Sequence, residues 1–108
     1  GRLTLGENVG DLGGVVAALD AYHASLGGKP APVIDGLTGD QRFFLSYAQA
    51  HRWIYRDAFL RQLLAADPHG ADPFRAATVR NIDAWYDAFD VKPGDKLYLP
   101  PADRVRIW

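Results

Sequence analysis

Residues 3–14 open the fold and read Leu3-Thr4-Leu5-Gly6-Glu7-Asn8-Val9-Gly10-Asp11-Leu12-Gly13-Gly14. Two carboxylates in this stretch, Glu7 and Asp11, stand four residues apart at the head of a helical pattern. Residues at positions i and i+4 lie one above the other on the same face of a helix. Acidic residues are also common near a helix N-terminus, because the helix dipole favours negative charge there. Spacing alone therefore leaves two interpretations open, a metal-ligand face or ordinary helix-end electrostatics.

Apolar positions recur at helical spacing after this start and predict a helix over about residues 6–26. The positions are Val9, Leu12, Val15, Val16, Leu19 and Tyr22. A glycine inside a helix lowers its stability by roughly 1 kcal/mol relative to alanine, yet Gly10, Gly13 and Gly14 all lie within this range. A glycine in a helix that nevertheless forms usually marks the close approach of a neighbour. We therefore expect another element to pack tightly against this helix.

The remaining pattern predicts an all-α fold of about four helices in total. Thr38 and Gln41 have the spacing of a capping box, which marks the start of a helix. The three further helices are expected over about residues 39–55, 57–66 and 79–89. Prolines and glycine in residues 67–75 predict an irregular loop that carries a His and an Arg, and the tail from residue 91 to 108 is expected to be irregular as well.

The composition is that of one globular domain spanning residues 1–108, with 48% hydrophobic and 23% charged residues. Twelve basic residues against 13 acidic ones leave no electrostatic footprint for nucleic acid, so we exclude a nucleic-acid partner. The absence of cysteine excludes disulfides and thiolate metal sites, so any metal must be held by His, Asp or Glu. No apolar run approaches the roughly 18 residues of a membrane span. Because the sequence begins with Gly, we expect a processed or excised piece of a longer polypeptide.

The opening segment resembles the Glu-Asn-x-x-Asp segment of the neprilysin and endothelin-converting-enzyme family of zinc metallopeptidases. The resemblance implies that Glu7 is the third protein ligand to a zinc ion. It implies that Asp11, one turn later, orients a histidine ligand without touching the metal. A catalytic zinc typically keeps three protein ligands and one open position, and a carboxylate behind a ligating imidazole fixes its tautomer.

A second motif of the same family lies in the proline-rich loop. The family carries Asp-Pro-His followed by an Arg six residues after the His, and His69 and Arg75 reproduce that spacing. The resemblance implies that His69 donates a hydrogen bond to the developing oxyanion. It implies that Arg75 holds a substrate backbone carbonyl and contacts Asp11. The family usually continues with Val-Asn-Gly, whereas this chain continues with Ala-Ala-Thr at residues 76–78.

Two weaker similarities extend the resemblance over the whole chain. The aromatic string at residues 43–53 is similar to the matching helix of the family, where the position of His51 has no chemical role, and we interpret His51 as structural. Animal members end in Cys-x-x-Trp, whereas this chain has Val105 and keeps Trp108. The loss of the cysteine removes a disulfide and indicates a bacterial-type member.

The chain lacks a His-Glu-x-x-His motif, since its histidines are His23, His51 and His69. That motif would supply two zinc ligands and the general base. We therefore expect the parent protein to be a zinc endopeptidase, with Zn2+ absent from the isolated fragment and the fragment inactive alone. The expected partners are a peptide substrate and the rest of the parent chain. The resemblance implies a periplasmic, secreted or outward-facing membrane-anchored enzyme.

The alternative hypothesis is a free-standing, non-catalytic helical module that binds a partner through its aromatic-rich surface. Exposed apolar area would favour self-association of such a fragment. The two hypotheses differ in one observable, which is whether the native reading frame carries His-Glu-x-x-His upstream of residue 1.

Overall fold

The computed structural model describes residues 2–108, which contain five α-helices. The helices are α1 (Leu5–Ser25), α2 (Gly39–Ala50), α3 (Asp57–Ala66), α4 (Asp72–Ala76) and α5 (Asp83–Phe89). Two 3-10 segments, Ala77–Asn81 and Pro101–Asp103, complete the regular structure. Within residues 2–108 the only β pairing is an isolated bridge between Ile34 and Leu37, so the predicted all-α class is confirmed. None of the helices in this range is both long and apolar enough to cross a membrane.

The core forms where α1 meets α2 and the segment that precedes α5. Leu12, Val15 and Leu19 of α1 recur at three- and four-residue spacing and are buried together with Phe44 of α2. Val79 and Ile82 complete this buried cluster. The helical period read from the sequence is therefore the period of the face that α1 turns toward the core.

Of Gly10, Gly13 and Gly14, where we expect a close neighbour, only Gly13 has one. A Cβ at Gly13 would lie 3.1 Å from the ring of Trp108, whereas one at Gly10 or Gly14 would meet nothing within 4 Å. The element that approaches α1 is thus the C-terminal tail.

Helix α2 begins as predicted and ends earlier than predicted. The capping box is confirmed, because the Thr38 hydroxyl accepts from the Gln41 backbone N–H and the Gln41 side chain accepts from the Thr38 backbone N–H. The predicted end at residue 55 is wrong, since the helix stops at Ala50. The indole of Trp53 donates to the Ala50 carbonyl at 3.0 Å and so satisfies one of the terminal acceptors of the helix.

The prediction of a single helix over residues 79–89 is also wrong, because the structure splits this range at Ile82 into a 3-10 segment and α5. Ile82 is extended, with φ −110° and ψ 112°, and its buried side chain belongs to the core. The Asn81 side chain donates to the Thr78 carbonyl and accepts from the Val105 N–H, so it links the 3-10 segment to the tail. The loop predicted over residues 67–75 is irregular only in part, because α4 begins at Asp72 with a proline in its first turn, where proline is tolerated.

The tail is irregular apart from the 101–103 turn, and charged groups fasten it to α5. Asp83 accepts from Arg104 at 2.7 Å and from Arg106 at 2.8 Å. The Arg104 guanidinium also lies 3.5 Å from the centre of the Tyr86 ring, and the Val105 N–H donates to the Asn81 side chain. These contacts bring Trp108 against Gly13. We call residues 104–108, held in this way, the C-terminal clasp.

We predict that Asp83→Asn loosens the C-terminal clasp at neutral pH. The hydrogen bonds from Arg104, with those from Arg106, hold the pKa of the Asp83 carboxyl below its usual range. A lowered folded-state pKa means that this stabilisation is present above the unfolded pKa, about 3.9, and is lost as the pH falls through the folded value. Amide hydrogen exchange of residues 105–108 should therefore be faster in Asp83→Asn at pH 7, with the difference from wild type vanishing in acid.

The matched control for this change is Asp90→Asn, which removes an exposed ion pair with Lys92 that does not involve the C-terminal clasp. Asp90→Asn should leave exchange in residues 105–108 unchanged. Equal exchange in Asp83→Asn and wild type at pH 7 would contradict the ionic attachment.

Candidate active site

The first half of α1 and the segment from residue 67 to 75 meet at one end of the molecule. Glu7 and Asp11 lie one turn apart on α1, as the four-residue spacing requires. The carboxylate of Asp11 contacts Arg75 of α4, and that of Glu7 contacts His69 in the turn before α4. The four candidate residues from the sequence therefore form two contacting pairs between the same two segments.

Arg75 and Asp11 form a two-point ion pair. Nε of Arg75 donates to Oδ2 of Asp11 and Nη2 donates to Oδ1, each at 2.8 Å. The Arg75 side chain is 25% exposed and that of Asp11 is 13% exposed, so the pair is largely shielded from solvent. The hydrogen bonds from Arg75 lower the pKa of the Asp11 carboxyl against the opposing effect of burial, and they raise the pKa of Arg75. Both groups therefore stay charged at neutral pH, and Nη1 has no hydrogen-bond acceptor within residues 2–108.

His69 lies between two carboxylates. Its backbone N–H donates to Oδ1 of Asp67 at 2.8 Å, and its Nδ1 lies 2.8 Å from the same oxygen. Its Nε2 lies 3.2 Å from Oε2 of Glu7. An Nδ1–H donates to Asp67, and Nε2, which faces Glu7, donates only when the ring carries a second proton.

Sequence reasoning missed Asp67, although the signal was present. Asp-Pro-His places an acidic side chain two residues before the His, which is the spacing of an Asx turn. The backbone and ring hydrogen bonds of His69 lower the pKa of the Asp67 carboxyl, so it remains an acceptor at neutral pH. Asp67 therefore fixes the orientation of the His69 ring.

Two tyrosine hydroxyls that the sequence did not indicate also hold α4 in place. The Tyr47 hydroxyl donates to the Arg75 carbonyl at 3.0 Å, and the Tyr55 hydroxyl donates to Oδ2 of Asp72 at 2.6 Å. His51, interpreted as structural, lies with Nδ1 3.5 Å from Oδ1 of Asp72 and with its ring against Tyr47.

The donor set fits one position of a zinc site. Glu7 is the only glutamate of the sequence, nearly half of its side chain is exposed, and carboxylate oxygen is a normal zinc ligand. Within residues 2–108 no group of three or more His, Asp or Glu side chains is arranged to hold a metal ion. Glu7 can therefore serve as a zinc ligand only together with ligands from another part of the protein.

We predict that the Arg75–Asp11 pair has a measurable coupling energy. A double-mutant cycle with Asp11→Asn and Arg75→Gln should give about 1–3 kcal/mol in the free energy of unfolding, because the pair is charged, two-pointed and shielded. Urea unfolding of the four proteins measures this energy. Asp20→Asn, which changes an exposed carboxylate on the same helix, is the control and should add independently to Arg75→Gln. Additivity of the first pair to within about 0.5 kcal/mol would contradict the coupling.

Comparisons with known proteins agree on one family. The pattern of Peptidase family M13 matches residues 1–105. The chain is 35% identical to the "Neutral endopeptidase" of Lactococcus lactis subsp. cremoris over 109 residues, which is 100% of this chain and 16% of that protein. It is 37% identical to human "Membrane metallo-endopeptidase-like 1" over 110 residues, which is 97% of this chain and 14% of that protein.

Solved structures of the Mycobacterium tuberculosis zinc metalloprotease Zmp1 share the fold. The cryo-EM structure of its open state matches with a TM-score of 0.92 and 55% identity, over 99% of this chain and 17% of that one. The crystal structure with an inhibitor matches with a TM-score of 0.94 and 56% identity, over 98% of this chain and 16% of that one. The chain thus spans about a sixth of the length of the proteins it matches. The family match and these relatives confirm the resemblance drawn from the motifs, and the chain belongs to Peptidase family M13.

Proposed function

We propose that this chain supplies one part of the active site of a zinc-dependent endopeptidase that hydrolyses peptide bonds. The observation that carries the proposal is the contact between α1 and the segment from residue 67 to 75, where Nε2 of His69 lies 3.2 Å from Oε2 of Glu7. Two motifs about 60 residues apart in the chain, each of which resembles part of one peptidase site, meet there. Membership of Peptidase family M13 and the similarity to the zinc metalloprotease Zmp1 support the same function.

Glu7 is proposed as the third protein ligand to zinc. The two other ligands and the general base would come from a His-Glu-x-x-His motif outside these 108 residues, at the position where Glu7 is exposed. When bound, zinc polarises a scissile carbonyl and activates a water molecule. Asp11 is proposed to orient one of the ligating histidines, since a carboxylate that accepts two bonds from Arg75 still has lone pairs for an imidazole N–H.

His69 and Arg75 are proposed to act on the substrate. The His69 ring, oriented by Asp67 and protonated on both nitrogens, would direct its Nε2–H toward the space beside Glu7 where the carbonyl oxygen becomes negative. A donor placed at that position stabilises the charge that develops in the transition state. Arg75 uses one edge of its guanidinium for Asp11, and its Nη1 remains to hold a backbone carbonyl of the peptide.

The proposal makes the rest of the parent polypeptide the main partner of this chain. Leu5, Val9 and Phe74 are large, exposed and line one groove beside the site. Exposed apolar surface of this kind favours a protein partner, and we propose that the remainder of the catalytic domain covers it. On this basis the isolated chain is inactive and holds no zinc. The outward-facing location implied by the resemblance, whether periplasmic, secreted or membrane-anchored, also belongs to the proposal.

A non-catalytic interaction module, with self-association of the fragment, is the competing function. The observation that favours it is the exposed apolar surface of the segment after α2, where Ile54 is 98% exposed and Trp53 is 66% exposed. The presence of His-Glu-x-x-His in the native reading frame separates the two functions, because an interaction module has no need of it.

We predict that Glu7→Gln in the full-length protein abolishes zinc binding. An amide is a much weaker zinc ligand than a carboxylate, and two histidines alone do not complete the site. Metal analysis of the purified protein and a peptide-hydrolysis assay measure the loss. Asp20→Asn, on the exposed side of α1, should retain both zinc and activity. Full zinc content in Glu7→Gln would exclude Glu7 as a ligand.

We predict that His69→Gln lowers kcat by roughly 100- to 1,000-fold while zinc content stays unchanged, as expected for loss of an oxyanion donor. KM should change little, because the interaction develops in the transition state. Steady-state kinetics on a peptide substrate measure both constants, and His23→Gln serves as the histidine control on a different surface. A large rise in KM with kcat unchanged would show that His69 binds the ground state instead.

A further inference from the structure

The segment that carries His69 and Arg75 has little conformational stability of its own. It contains Pro68, Gly70 and Pro73, and its only helix, α4, is five residues long. Helices this short are marginal in isolation, because few backbone bonds offset the entropy of forming the first turn. The position of α4 therefore depends on bonds to neighbouring elements.

Asp72, the first residue of α4, is the buried charged residue of the described chain, with 9% of its surface exposed. No Arg or Lys in residues 2–108 forms an ion pair with it, and its Oδ1 has only His51 at 3.5 Å. Its short hydrogen bond is the one that Oδ2 accepts from the Tyr55 hydroxyl at 2.6 Å. A buried carboxylate that loses its donor is strongly destabilised, so this bond restricts where the first turn of α4 can lie.

Tyr55 is itself held in place, although the segment around it is exposed. Its ring stacks nearly parallel to Trp53 at 6.5 Å and lies 5.6 Å from Phe59. The hydrogen bond to Asp72 raises the pKa of the Tyr55 phenol, so the group stays protonated and donates at neutral pH. Tyr55 also lines, with His69 and Arg75, a cavity of about 80 Å³ beside the site.

We propose that Tyr55 is a positioning residue for the peptidase reaction, whose hydroxyl fixes α4 through Asp72 and thereby sets His69 and Arg75 against Glu7 and Asp11. Arg75 lies one helical turn after Asp72, and His69 lies three residues before it. A shift of α4 would move both groups relative to α1. This inference rests on the proposed function, since it assigns Tyr55 a role in that same site.

Tyr55→Phe in the full-length enzyme tests the proposal, because it removes one hydroxyl and keeps the ring that packs on Trp53 and Phe59. We expect kcat to fall and KM to rise, with kcat/KM reduced by roughly 10- to 100-fold, as is typical for residues that orient a site from behind. Zinc content should stay at the wild-type level. A merely structural loss would reduce the folded fraction and lower kcat at constant KM. That result, or wild-type kinetics, would overturn the proposal.

Two further measurements keep the test decisive. Tyr98→Phe is the matched control, because the Tyr98 hydroxyl has no hydrogen bond within the described residues, and it should leave both constants unchanged. In an Asp72→Ala background, Tyr55→Phe should have no further effect on kcat/KM if Tyr55 acts through Asp72, whereas independent effects would overturn that route.

Hydrogen exchange separates failure of this inference from failure of the proposed function. Exchange in residues 69–76 should be faster in Tyr55→Phe than in the wild-type full-length protein, whether or not the protein hydrolyses peptides. If the wild-type full-length protein has no peptidase activity but exchange is faster in Tyr55→Phe, the proposed function is refuted and the anchoring of α4 by Tyr55 stands. Unchanged exchange in an active enzyme would refute the role of Tyr55 alone.

Discussion

Two parallel hydrogen bonds between Arg75 and Asp11 join segments that are 64 residues apart in the chain. A two-point contact fixes orientation as well as distance, which a single ion pair does not. The shielding of both groups raises the cost of removing them from water, and this geometry offsets that cost. Because His69 belongs to the segment that carries Arg75, its meeting with Glu7 follows from the same contact. The bond between Tyr55 and Asp72 holds the same helix at its first residue.

Local signals in the sequence predicted the helices where local forces decide them. The apolar period of α1 and the capping box at Thr38 depend on residues within one or two turns. The capping box appears as predicted, and so does the apolar period except at Val9, which is exposed. The end of α2 and the break at Ile82 depend on distant or unusual partners. Trp53 terminates α2 with its indole, and Ile82 leaves the helical region because its side chain enters the core. The helix propensities of single residues do not predict those contacts.

The candidate site shows the same division. The identities of Glu7, Asp11, His69 and Arg75 came from motif resemblance, which also implied the contact between Arg75 and Asp11. The contact between Glu7 and His69 came only with the fold. Asp67 could have been identified from Asp-Pro-His, because an Asx turn is a local structure. The bond between Tyr55 and Asp72 links residues 17 apart across a helix and a loop, and nothing in their spacing indicates it.

The C-terminal clasp has a consequence for the environment in which the chain can fold. By the resemblance, animal members of the family have a cysteine where this chain has Val105. Here the tail is held by Asp83, two arginines and the bond between Val105 and Asn81. No thiol and no oxidase are needed to form these bonds, and reductants do not break them. Dissolved salt weakens the pair between Arg106 and Asp83, whose side chains are 62% and 49% exposed, because exposed ion pairs are screened as ionic strength rises. The attachment of this tail therefore responds to ionic strength and not to redox potential.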